Sequence, residues 1–232
     1  CRLRLFLNIM DTIQQFHVDI DPSIVEEFQS RLNNSRWFDS IEGSAEWSYG
    51  TSGKYLKEVC EYVSSGEFNF NQIQEKLNAV CQYTANVPNE RGTVHRNKKV
   101  HYIHEKSFND DGSEGIPLLL LHGWPSTPFN FVQIIPLLVN SGFTVIAPSI
   151  PGYGFSEPPT ESGFGVNECA HLFQSLMVDV LGYSNGYVVQ GGDWGSIIGR
   201  SLSVHYSNHV LAYHTNMPLP LPSPPTTSML GE

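Results

Sequence analysis

Residues 116–121, IPLLLL, form an apolar run with no alternation of polar side chains. A strand with one wet face alternates apolar and polar residues, so an unbroken run fits a strand covered on both faces, as in a parallel sheet between helical layers. The order of elements after it agrees with that demand. A helix is expected around 131–139, stopped by Gly142, then a strand at FTVIA and a loop rich in glycine and proline. A long helix follows, with Val166, Cys169, Ala170, Phe173, Leu176, Met177, Val180 and Leu181 on its apolar side. The strand YVVQ, a helix after Trp194 and a short strand VLAYH complete the series. This is an α/β pattern of repeated strand-helix units.

The first third reads differently. Asp21-Pro22 supplies an N-cap and a first-turn proline, and Ile24, Val25, Phe28 and Leu32 recur at helical spacing. A second helix from about Ser52 places Tyr55, Leu56, Val59, Cys60 and Val63 on one face, closed by Gly66, and a third carries Phe70, Ile73, Leu77 and Val80. From Thr93 the period shortens. Val94, Val100, Tyr102 and His104 around the basic turn Arg96-Asn97-Lys98-Lys99 suggest a hairpin. No repeat at solenoid spacing is present, and PLPLPSPPTT reads as a proline-rich linker.

A chain of 232 residues with 40% hydrophobic residues can bury a sizeable core. The formal net charge of −10 is scattered rather than clustered, which argues against a nucleic-acid or anionic-membrane partner. Cys1, Cys60, Cys81 and Cys169 lie far apart without C-x-x-C spacing, which fits free structural thiols in a reducing, cytoplasmic setting. Peripheral membrane association stays open. Asn33-Asn34-Ser35 matches a glycosylation sequon that would matter only in a secreted protein. The apolar part of CRLRLFLNIM is too short to span a bilayer, and residues 1–9 read as a fragment end or an extension before Met10. No phosphate loop or metal cluster is evident, so no cofactor is expected.

The stretch YVVQGGDWGSIIG turns a strand into a helix through paired glycines. Gly191 and Gly195 stand two residues either side of Asp193, matching the small-x-nucleophile-x-small spacing of a nucleophile elbow with aspartate in the usual serine position. Such a bend lifts a carboxylate above the sheet, beside the free N–H groups of the next helix. The bland reading makes Asp193 an ordinary N-cap. Context favours the elbow, because the strand ending at Leu121 runs directly into His122-Gly123-Trp124-Pro125. The main-chain N–H groups of Trp124 and Trp194 are therefore the expected donors of an oxyanion hole. For His122-Gly123 the competing reading is a strand-to-loop turn with a hydrogen-bonded histidine.

HGWPSTPFNFVQIIPLL, APSIPGYGFSEPP, YVVQGGDWGSIIG and the strand ending HTNM, taken in order, resemble the microsomal and juvenile-hormone-type epoxide hydrolases of the α/β-hydrolase superfamily. FHVDI, SRLNNSRW, EKLN and VHYIHEKS resemble the N-terminal meander of that family. The resemblance spans nearly the whole chain after Met10. It implies an N-terminal meander at 10–92, the first half of an α/β-hydrolase core at 93–217 and a linker toward a lid at 218–232. It also implies epoxide metabolism and detoxification as a role, with a small apolar epoxide and water as reactants. Asp193 would attack the epoxide to form an ester that water hydrolyses to a vicinal diol, with charge held by Trp124 and Trp194.

The family also uses a histidine base with a late acid, and lid tyrosines that assist ring opening. The only acid after Asp193 is Glu232, an implausible relay. His205, His209 and His214 read as scaffold histidines, and Tyr153, Tyr206 and Tyr213 as structural or pocket-lining. The expectation is a chain that stops before the lid and is inactive in turnover. Two alternatives stay open: a haloalkane dehalogenase, which also uses an aspartate elbow, and a non-catalytic protein that binds apolar ligands.

Overall fold

The computed structural model describes residues 13–39, 47–89 and 97–219. Residues 17–79 form one compact unit, and the residues flanking them on both sides form a second.

The smaller unit holds α1 (Pro22–Asn33), α2 (Gly53–Ser64) and α3 (Phe70–Leu77). Each begins on a side-chain cap that satisfies an otherwise orphaned N–H. Asp21 accepts from Ser23, Ser52 from Tyr55 and Asn69 from Gln72. Asn78 pins the entering chain by accepting from Val18 N–H at 2.8 Å and donating to Val18 carbonyl at 2.9 Å. No residue within these three helices is fully buried.

The larger unit is built on a seven-stranded sheet in the order β1-β2-β3-β5-β4-β6-β7. Its strands are β1 (Ile13–Phe16), β2 (Gln82–Val87), β3 (Lys98–Glu105), β4 (Ile116–Leu121), β5 (Phe143–Pro148), β6 (Tyr187–Gly191) and β7 (Val210–Thr215). β1, β2, β3 and β5 pair antiparallel in sequence across the sheet, whereas β5, β4, β6 and β7 are parallel. Helices α4 (Ile135–Asn140), α5 (Val166–Ser175) and α6 (Trp194–His205) connect the parallel strands. Together these elements make an α/β-hydrolase core with a mostly parallel sheet.

Strand β4 explains its own composition. Leu119 and Leu121 join the core formed with α5 and α6, and Leu118 and Leu120 join the opposite core with Ile135 of α4. Both faces are dry, so neither admits polar side chains.

Three local expectations change. The helix expected at 131–139 is instead a 3-10 turn opening on Pro128 and ending at Phe131, followed by α4, whose Pro136 has no N–H to bond back to the preceding turn. The hairpin arm expected at Val94 lies outside the described residues, and β3 pairs with the upstream β2 instead. The helix of α5 runs on through a π-helical turn at Leu176–Val180.

Candidate active site

Adjacent parallel strands place two distant turns side by side. Leu121 of β4 lies opposite Gly191 of β6, so the 122–124 turn and Asp193 emerge from the same end of the sheet. Ligand sites in such sheets lie at the carboxyl ends of the strands.

Asp193 has φ 51° and ψ −128°, and it is the only non-glycine residue with positive φ among the described residues. The bend depends on close backbone approach. A Cβ on Gly191 would overlap the carbonyl of Gly195, and one on Gly195 would overlap the carbonyl of Leu121. These are the two positions singled out by spacing.

Asp193 stands at the N-cap of α6 yet makes no capping bond with its side chain. Its Oδ1 instead accepts from the main-chain N–H of Trp124 at 2.8 Å, across 69 residues of sequence. Hydrogen bonds from Trp124 N–H and then Trp194 N–H hold its carboxyl below the usual carboxylate range, so it is ionised at neutral pH. The turn carrying Trp124 thus meets the carboxylate of Asp193, and Trp194 is the residue next to it at the start of α6. Trp124 is 68% exposed and Trp194 45%.

A shallow cleft of about 450 Å³ opens over Asp193. Its walls include Trp124, Asn130, Phe131, Gln190, Asn216 and Met217. Sequence reasoning did not single out Asn130, Gln190 or Asn216, because isolated amides carry no local signal. Ser196 ties the floor together: its hydroxyl donates to Met217 carbonyl at 2.7 Å, and Tyr213 hydroxyl donates to Ser196 carbonyl at 2.7 Å.

The downstream histidines lie elsewhere. His205 bonds the carbonyl of Ser201 in its own helix, His209 bonds Gln174, and His214 is exposed on β7. Tyr206 bonds His171, and Tyr153 packs edge-on against the ring of His122. The histidine on the cleft wall is His122, buried and with both ring nitrogens engaged. The described residues contain no group of three or more metal-ligating side chains, and no described helix is long and apolar enough to cross a membrane. Cys60, Cys81 and Cys169 are free thiols.

Comparison with known proteins gives a consistent picture. The family model "Epoxide hydrolase N terminus" matches residues 13–131, and the α/β hydrolase fold model matches 116–231. The chain is 31% identical to juvenile hormone epoxide hydrolase 1 of Ctenocephalides felis, over 90% of this chain and 44% of that protein. It is 32% identical to epoxide hydrolase 1 of Oryctolagus cuniculus, over 95% and 48%. Among solved structures, juvenile hormone epoxide hydrolase from Bombyx mori matches with a TM-score of 0.77 at 32% identity, covering 89% of this chain and 53% of that one. The Aspergillus niger epoxide hydrolase matches with a TM-score of 0.77 at 28% identity, covering 94% and 56%. The chain spans about half the length of the curated relatives it matches.

Proposed function

This chain belongs to the epoxide hydrolase family of the α/β-hydrolase fold, and on that premise we propose that it carries the nucleophilic half of an epoxide-opening site, with Asp193 as the attacking group. The observation that carries this reading is the 2.8 Å bond from Trp124 N–H to Oδ1 of an aspartate held at φ 51°. One carboxylate oxygen is fixed and its partner is left for attack.

A strained tetrahedral carbon needs no polarised carbonyl, so an ionised carboxylate can displace the ring oxygen directly. The new bond joins Asp193 to a ring carbon, the ring C–O bond breaks, and the released alkoxide takes a proton from solvent water to become a hydroxyl, leaving hydroxide in solution. Completing turnover requires water to add to the carboxyl carbon of Asp193 and to give up a proton to a base. Charge that gathers on the carboxyl oxygen is held by the N–H groups of Trp124 and Trp194, each worth roughly 3 kcal/mol in sites of this kind. Collapse releases a vicinal diol and restores the carboxylate.

Trp124, Phe131 and Met217 on the cleft wall favour a small apolar epoxide as substrate. The second step needs a base, and among the described residues no histidine-acid pair lies beside Asp193. We therefore expect the ester to form on this chain and to persist. The division into meander at 10–92, half-core at 93–217 and linker at 218–232 is part of the same reading. So is a cytoplasmic placement, which the free thiols support.

Mass spectrometry after incubation with styrene oxide tests the reading. The expected result is one adduct of the full epoxide mass on the peptide bearing Asp193, absent in Asp193→Asn. No adduct, or steady diol release by the chain alone, would overturn it. A matching incubation with 1-bromoalkanes, read as bromide release, separates epoxide opening from dehalogenation.

A further inference from the structure

We infer that His122 is a positioning residue that sets the direction of the Trp124 N–H through the carbonyl at the other end of the same peptide unit. This role rests on the proposed part of Trp124 in the site.

The carbonyl of Gly123 and the N–H of Trp124 belong to one trans peptide, the cis bond in this loop being the following Trp124–Pro125. In a planar trans peptide the two groups point in opposite directions. Fixing one therefore fixes the other. Nδ1 of His122 lies 3.0 Å from Gly123 carbonyl, while Trp124 N–H reaches Asp193 Oδ1 at 2.8 Å.

The partners also determine the ring's protonation. A carbonyl oxygen can only accept, so Nδ1 carries the proton. Nε2 lies 2.9 Å from Ile150 N–H, which can only donate, so Nε2 carries none. A neutral ring with its proton on Nδ1 is the only form that satisfies both bonds. The Ile150 bond anchors the ring to the loop after β5, the Tyr153 ring packs edge-on against it at 5.6 Å, and His122 is 3% exposed. The ring thus carries the fixed geometry of one loop to the oxyanion peptide of another. Ser126 N–H also bonds Gly123 carbonyl, at 2.9 Å, so His122 shares the task and its loss should weaken the arrangement rather than abolish it.

Two substitutions separate the ring's bonds. In His122→Asn the side-chain amide can occupy the Nδ1 position and donate to Gly123, but nothing reaches Ile150. In His122→Gln the amide oxygen can occupy the Nε2 position and accept from Ile150, but nothing donates to Gly123. The readout is the titration midpoint of the Asp193 carboxyl carbon by NMR on the whole chain, with thermal unfolding of each variant alongside. In His122→Gln the midpoint should rise by roughly 0.5 pH units or more as the Trp124 N–H swings away, and alkylation by styrene oxide should slow about 10-fold. In His122→Asn both should stay near wild type.

Equal behaviour of the two variants, whether both shifted or both unchanged, overturns the role, since a packing defect would not discriminate between them. Should His122→Gln fail to fold, nitrogen NMR of the wild-type ring decides: a proton on Nδ1 supports the inference, and a proton on Nε2 overturns it. Failure of the epoxide reading looks different. Wild type would then form no adduct while the Asp193 midpoint still separated the two variants.

Discussion

Asp193 sits in a backbone region that costs a residue with a Cβ on the order of 1–3 kcal/mol, and the surrounding glycines and strands hold it there. That strain makes an unusual prediction. At an ordinary exposed position, alanine is more stable than glycine by about 0.4–1 kcal/mol. At position 193 the order should reverse, with Asp193→Gly about 1 kcal/mol more stable than Asp193→Ala in urea unfolding. Alanine in the lead would refute the claim that the elbow stores strain. Gly195→Ala should cost about 2 kcal/mol or more, because its new methyl meets the main chain of β4, which cannot rotate away as a side chain could. A thermal melt checks it. The positions of these glycines were legible in the sequence because the steric conflict they avoid is local. That the Trp124 N–H lies beside Asp193 is an expectation drawn from the apolar strand running directly into the turn at 122–125. That Asp193 forgoes its capping bond could not be read, since the choice depends on a loop 69 residues away.

Elements differ in how much of their role is written in their own composition. Strand β4 is legible because burial on both faces leaves only apolar choices, and its Leu119 is fully buried. Leu119→Ala should lose about 3 kcal/mol or more of unfolding free energy. Leu211 on β7 is 62% exposed, and Leu211→Ala should change stability by no more than about 0.5 kcal/mol. Among the described residues β7 pairs on one side only, with β6. Strands β1 and β2 escaped sequence reading for the opposite reason. In β2, Gln82 and Thr84 are buried, and Gln82 bonds the buried ring of His101. A polar side chain satisfied by a distant partner looks, in sequence, like one that faces water.

At the scale of the whole molecule, buried histidines couple folding to pH. Burial pushes both His101 and His104 down to about 4, and lowers His122 as well. His101 bonds Ser149 at 2.9 Å and Gln82 at 3.1 Å within a fully buried site, so protonating it would leave a charge without water. The unfolded chain binds protons at these rings near pH 6.5, whereas the folded chain resists them until about pH 4. Between those values the unfolded state holds more protons, so stability rises with pH. It is complete above about 6.5 and falls as the pH drops toward 4, with His101 alone accounting for about 3 kcal/mol. Urea midpoints measured from pH 7.5 to 4 should show this slope, and His101→Gln should reduce it, leaving the part due to His104. A midpoint that does not change across that range would contradict the neutral buried rings.

The sequence by itself determined the α/β class, the Asp21 cap of the first helix and the small residues that flank Asp193. Those features depend on sterics and hydrogen bonding within a few residues, or on burial so complete that composition records it. Only the tertiary structure decided the rest. The register that sets Leu121 beside Gly191 brings the His122-Gly123-Trp124 turn to Asp193. Contact with Ile150 and Gly123 fixes the proton of His122, and pairing with β3 draws the polar strand β2 into the sheet. Each of these joins groups far apart in the chain, and no local pattern encodes an interaction whose energy depends on a partner that folding alone brings near.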